Sequence, residues 1–216
     1  MAKRSDIKLQ REAVIRTALN LLSETGIDGL TTRRIAAALG VQQPALYWHF
    51  KDKAALLDAL AEAILIENHS RSLPLPGEDW RRFLIENARS FRRALLAYRD
   101  GARVHAGSRP SSALYPAAEA QLGFMMAAGF DVVSAGYILQ VAAHYVVGSV
   151  LEQQAAVAAN SWPSQMSTRF PLLGQAFKKL EGVSPDEGFE FGLISLVAGF
   201  ESLLEKEDFN LMNRRT

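Results

Sequence analysis

The 216-residue sequence contains no cysteine. That excludes a disulfide framework, a thiolate metal site, an iron–sulfur cluster and a cysteine nucleophile, and it fits a reducing cytoplasm. No apolar run follows Met1-Ala2-Lys3-Arg4, so no secretory signal is expected. β-type alternation, fixed-period repeats and low-complexity stretches are also missing. Neither sign of charge dominates, since 24 Lys and Arg stand against 23 Asp and Glu. By region the balance shifts: residues 1–55 hold nine basic and five acidic side chains, a net of +4, and the remainder has a net of −3. A small basic head on a slightly acidic body suits contact with a polyanion. With 49% hydrophobic residues the chain is not disordered and buries a sizeable core.

What is present reads as helix throughout. Val14, Ile15, Ala18, Leu21 and Leu22 follow amphipathic spacing, and Gly26 is placed to end that helix. Thr31 is a candidate N-cap for a short second helix that ends at Gly40. Pro44 suits the first turn of a third, over 44–50. Lys53 to Ile66 forms a longer helix, and Pro74, Pro76 and Gly77 break the pattern. Further helices are expected over 80–98, 112–128, 131–155, 172–180 and 187–206, with a loop from Ala158 to Pro171. Val132 to Leu151 is twenty uncharged residues, long enough to span a membrane. Ser134, Gln140, His144 and Ser149 are costly in lipid, however, and Asp131 and Glu152 bound the stretch. It is expected to be a helix buried on nearly all sides inside protein.

The short second helix, the turn at Gly40-Val41 and the Pro44 helix have the spacing of a helix-turn-helix. Gln43, Tyr47, Trp48, His49, Lys51 and Lys53 crowd into eleven residues, while Ala45, Leu46 and Phe50 are available for the inner side. Amide, aromatic and basic groups on one short helix suit base edges and phosphates. Gln43 can pair with adenine, and Arg33 can reach guanine or phosphate. Tyr47, His49 and Lys53 suit phosphate contacts. Thr32, Pro44, Ala45 and Trp48 complete the candidate DNA-binding set. A core position for Trp48 is the bland alternative. In the body, His69, His105 and His144 stand with Asn87, Phe91, Arg109, Gln121 and Glu152 among apolar residues. An apolar pocket with a few polar groups is the usual form of a small-molecule site, although the sequence does not show that these groups converge.

Leu30-Thr31-Thr32-Arg33-Arg34-Ile35-Ala36, Leu39-Gly40-Val41 and Gln43-Pro44-Ala45-Leu46-Tyr47-Trp48-His49-Phe50-Lys51 resemble the DNA-binding head of the TetR family. Gly77-Glu78-Asp79-Trp80, Arg99-Asp100-Gly101-Ala102-Arg103-Val104-His105, Gly107-Ser108-Arg109-Pro110, Gly148-Ser149-Val150-Leu151-Glu152 and Pro171-Leu172-Leu173 continue the resemblance in order over residues 7–206. These segments resemble members that answer a tetracycline–Mg2+ chelate.

The resemblance implies an all-α homodimeric repressor, not an enzyme, that releases a palindromic operator when the chelate binds. Residues 1–52 would be the helix-turn-helix DNA-binding domain, and 53–216 the effector-binding and dimerisation body. His69, Asn87, Phe91 and Gln121 match drug-binding positions, and His144 is added to that set. His105 matches a direct Mg2+ ligand, while Ser108 and Glu152 match positions that hold the ion's waters. Arg109 and Pro110 match a loop that moves on induction. Leu173, Phe177 and Leu180 match an apolar lid from the other subunit. Ala45 departs from the pattern, where these members carry threonine, so one DNA contact is expected to be absent. Gln153 and a shorter segment before Pro171 depart as well.

A repressor of the same fold answering another effector is the nearest alternative. A metal hydrolase using His105, His144 and Glu152 lacks the His-Glu-x-x-His spacing. An architectural DNA-binding protein would not need polar groups inside its body. Helices 131–155 and 187–206 are apolar over more than one stripe, as expected of a four-helix interface between two copies.

Overall fold

The computed structural model describes residues 10–156 and 169–205. The expected loop from Ala158 to Pro171 lies largely outside them. Among the described residues there are helices and turns but no strands. The helices are α1 (Arg11–Gly29), α2 (Thr32–Ala38), a 3-10 helix (Gln43–Trp48), α3 (Lys53–Asn68), α4 (Trp80–Leu96) and α5 (Gly101–Ala106). They continue with a 3-10 turn (Ser112–Leu114), α6 (Tyr115–Ala127), α7 (Val132–Ala156), α8 (Pro171–Leu180) and α9 (Pro185–Glu205). Contacts divide the chain into two units: Met1–Pro74 with Arg89–Gln121, and Leu75–Ala88 with Leu122–Thr216.

The first unit is built around one continuous core. Val14, Ala18, Leu19 and Leu22 of α1 meet Ile35 and Ala36 of α2, with Leu46 and Phe50 at the 3-10 helix. Leu56, Ala59, Leu60, Ala61 and Ile64 of α3 join them, as do Ala94 and Val104. Gly26, at φ +69°, kinks the end of α1 as its sequence position suggested. Thr31 caps α2 by accepting from the Arg34 N–H at 3.2 Å. Asp52 caps α3 by accepting from the Ala55 N–H at 2.7 Å. The expected third helix is not α-helical. Its closing bonds run three residues back, from Ala45 N–H to Gln42 and from His49 N–H to Leu46.

In the second unit, Trp80 meets Phe130 edge-on at 5.0 Å, and Phe83 meets Phe124 at 5.3 Å. Arg81 is bound to both Asp79 and Glu201. Along α7 and α9, Tyr145 stacks on Phe189 at 5.4 Å and donates its hydroxyl to the Phe189 carbonyl at 2.8 Å. The expectation that Val132 to Leu151 would be buried on nearly all sides fails for a single chain. Only 22% of its apolar stretch is covered. Tyr137, Val141, His144, Gly148 and Glu152, spaced three or four apart, form a bare stripe on α7. Phe191, Ile194, Ser195, Ala198 and Gly199 form another on α9. An apolar sequence reports that a helix must be covered, but not by which chain.

Several boundaries also moved by one to three residues. The helix expected from 112 begins only at Tyr115, after the 3-10 turn, and the last helix starts at Pro185 rather than 187. Pro171 opens α8 instead of closing a loop, because proline's missing N–H costs nothing at a helix start.

Candidate functional sites

Two side chains anchor the 3-10 helix, and most of its others face outward. Leu46 and Phe50 are buried, with the Arg11 guanidinium 5.2 Å from the Phe50 ring centre. Tyr47 is 50% and Trp48 89% exposed, so Trp48 is not a core aromatic. Arg33, Pro44, Lys51 and Lys53 are exposed, while Thr32, Gln43, Ala45 and His49 are half-buried. Gly40, at φ +67°, makes the turn between the two helices. The Gln43 side-chain amide donates to the Thr32 hydroxyl at 2.9 Å and so ties them together. That bond uses one of the two N–H donors of the amide and leaves the other, with the carbonyl oxygen, for a base. The bond to Thr32 is thus compatible with bidentate contact to adenine and holds the amide in place for it. Arg34 is used locally, donating to the Gly29 carbonyl at 3.2 Å.

At the other end of α3, three of the predicted effector residues form a string. His69 ends the helix, its ring 5.7 Å from Phe91, and Phe91 meets His105 edge-on at 5.0 Å. The His69 Nδ1 lies 3.1 Å from the hydroxyl of fully buried Ser90. That hydroxyl also accepts the Arg71 N–H at 3.1 Å. Burial, and secondarily the Arg93 charge, lowers the His69 pKa to about 4. Burial also lowers that of His105, whose Nδ1 has no hydrogen-bond partner among the described residues. Both imidazoles are thus neutral near pH 7, the form that offers a lone pair.

Beyond His105, Ser108 donates its hydroxyl to the His105 carbonyl at 2.8 Å. The Arg109 N–H donates to Asp58 of α3 at 2.8 Å. An open cleft lies here, bordered by Asp58, Glu62, His105, Ser108, Arg109 and Pro110. Gln121 donates its side-chain amide to the Ser72 carbonyl at 2.7 Å.

The remaining predicted residues belong to the second unit. Asn87 is half-buried on α4, and His144 and Glu152 are exposed on α7. On α8, Leu173 and Leu180 are exposed and Phe177 is half-buried. Ser90 and Asp58 were not singled out from sequence. Asp58 leaves a trace, as a carboxylate within the apolar run Leu56-Leu57-Asp58-Ala59-Leu60. Ser90 leaves none. Among the described residues no group of three His, Asp or Glu side chains could hold a metal ion alone.

Residues 14–60 match the family model of bacterial regulatory proteins of the tetR family. Residues 73–204 match that of the tetracyclin repressor-like C-terminal domain. The chain is 54% identical over 202 residues to the tetracycline repressor protein class C of Escherichia coli, covering 91% of this chain and 92% of that one. A TetR variant from Acinetobacter baumannii AYE, solved with minocycline, superposes with a TM-score of 0.78 at 52% identity, covering 91% of this chain and 98% of its own. A class A TetR solved with 5a,6-anhydrotetracycline and magnesium has a TM-score of 0.72 at 48% identity, covering 90% and 99%.

Proposed function

The chain belongs to the TetR family of bacterial regulatory proteins, and we propose that it is a tetracycline-released repressor acting as a homodimer in the cytoplasm. The observation that carries this reading is the string His69–Phe91–His105, which lies in the same unit as the exposed reader helix. Residues 1–52 supply the DNA-binding domain, and residues 53–216 take up the effector and pair the copies. Two reader helices on a palindrome need half-sites about 34–36 Å apart, which one chain cannot supply. The bare stripes of α7 and α9 are suited to a four-helix contact with a second copy.

On the effector side, His69, Phe91 and Gln121 hold the drug. The resemblance adds Asn87 and His144, with Leu173, Phe177 and Leu180 as a lid from the other subunit. The neutral His105 imidazole offers one nitrogen to Mg2+, with Ser108 and Glu152 as partners for the ion's waters. A donor set of one imidazole and no protein cage fits a hard ion that keeps most of its oxygen shell. Bound with the drug, Mg2+ supplies charge neutralisation for the drug's chelating oxygens.

The rest is mechanical. The Arg109 N–H is held by Asp58, so a shift of the 105–110 segment is felt by α3, which starts beside the reader helix. Moving the operator from about 99% to about 1% bound requires a ratio of drug affinities near 10⁴, ~5.5 kcal/mol. Linkage makes the same factor appear when operator weakens drug binding. Tetracycline affinity at fixed Mg2+ should therefore be measured by drug fluorescence on the free protein and on its operator complex. Agreement within about fivefold overturns the reading. His105→Ala is expected to retain operator binding and to lose the magnesium dependence of drug binding, and an unchanged magnesium dependence removes His105 from the site.

A further inference from the structure

A second connection to the reader does not involve α3. The Arg103 guanidinium grips Asp28 with a two-pronged contact, at 2.8 Å through Nη1 and 3.0 Å through Nη2. Nη1 also lies 3.5 Å from one oxygen of Asp100. The other oxygen of Asp100 accepts the Ile27 N–H at 2.9 Å. Arg99 donates to the Glu24 carbonyl at 3.3 Å. Three residues of the α4–α5 corner and the start of α5, Arg99, Asp100 and Arg103, thus hold the kink at residues 24–28, from which the chain enters α2.

The fit leaves little slack. A Cβ on Gly26 would stand 2.5 Å from the Asp100 carboxylate, and one on Gly101 would stand 2.2 Å from the Leu95 carbonyl oxygen. Asp100 itself sits at φ +58°, a conformation that costs a residue with a side chain and persists only where its surroundings hold it. The Arg103 and Asp28 side chains are 44% and 82% exposed. A pair so open to water contributes little to folding stability. What the pair does supply is direction, because a guanidinium–carboxylate fork defines both distance and orientation. α5 carries Arg103 at its third residue and His105 at its fifth, so the clasp and the proposed ion-binding segment move as one short helix.

We propose that the Arg103–Asp28 clasp, with Asp100 and Arg99, positions the reader in response to the 105–110 segment and sets the size of the effector–operator coupling. This rests on the effector-release reading above. The test compares wild-type dimer with Arg103→Met, Asp28→Asn, Arg103→Lys and Arg16→Met. Arg16 forms a similarly exposed ion pair with Glu67, at 3.9 Å, outside the clasp. For each, tetracycline affinity at fixed Mg2+ is measured with and without operator duplex, and their ratio is the readout.

Arg103→Met and Asp28→Asn are expected to cut the ratio at least about tenfold while leaving drug affinity of the free protein within about threefold. Arg103→Lys should recover part of the ratio, and Arg16→Met should leave it unchanged. If wild type shows no ratio, the release reading fails and the clasp proposal with it. If wild type shows a large ratio and both clasp variants keep it within about twofold, only the clasp proposal is overturned. The two variants remove the pair from opposite sides, so misfolding of one leaves the other to decide.

Discussion

The two units treat their apolar surface in opposite ways. In the first, residues from α1, α2, the 3-10 helix, α3, α4 and α5 close on one another, and Val14, Ile35, Leu60 and Ile64 reach 0% exposure. In the second, α7 and α9 bury Ile138, Val146, Phe189 and Leu193 yet leave Phe191 79% and Ile194 48% exposed. On the release reading proposed above, self-sufficient packing suits a unit that transmits a displacement, since close-packed interiors pass strain on rather than absorb it. On the dimer reading proposed above, an unfinished surface suits a unit that pairs with a second copy. The same hydrophobic effect therefore stabilises a fold in one place and an assembly in the other.

The hardest blow to this contrast is a charge placed on the unfinished face. Phe191→Arg is expected to leave the monomer folded, to convert the dimer to monomer in sedimentation, and to weaken operator binding about 10²–10⁴-fold through loss of the second half-site. A dimer that survives with full operator affinity would put the interface elsewhere. In the self-sufficient unit the matching insult is a cavity. Leu60→Ala should cost about 2–5 kcal/mol in urea unfolding and leave dimer affinity unchanged.

A third test uses acidity. Burial lowers the His69 pKa from 6.5 to about 4. Between those values the unfolded chain takes up a proton that the folded chain refuses. Stability is thus full above pH 6.5, falls as pH drops toward 4, and levels off below. The loss is on the order of 3 kcal/mol. His69→Gln should flatten that part of the profile, and an unchanged slope would assign it to other groups. The smallest effects are at the reader. Gln43→Ala should cost ~1–3 kcal/mol at one operator position and little elsewhere. Lys53→Ala should weaken all sequences alike and reduce the salt slope by about one. Equal losses on every sequence for Gln43→Ala would remove it from base reading.

Most helix limits were legible because period-3.6 apolar spacing and glycine or proline punctuation act locally. Gly26, Thr31, Gly40 and Pro44 all punctuate the chain as read from sequence. The helix-turn-helix was legible for the same reason, although its third element is a 3-10 helix and not an α-helix. The exposure of α7 was legible only in part: the surplus apolar stripes of 131–155 and 187–206 pointed to a contact between two copies, but not to which side chains one chain leaves bare. The Arg103–Asp28 pair was not legible, since it joins residues 75 apart, where Asp28-Gly29 reads only as a turn. Ser90 was hidden by its ordinariness. A serine on an amphipathic helix draws no notice until two backbone-distant groups, His69 and Arg71, meet at its hydroxyl.

The membership of the first core has a consequence for how the protein is made. Ala94 and Val104 pack in the same core as Val14, Leu46 and Phe50. During synthesis the reader segment leaves the ribosome early, but the surface that completes its core is still untranslated for some fifty residues more. A nascent chain ending near residue 52 thus has an unfinished domain. By the time the core closes, His69, Phe91 and Asp100 have all been added. On the reading proposed above, the order of translation keeps a DNA reader from maturing before most of its first-unit effector segment exists.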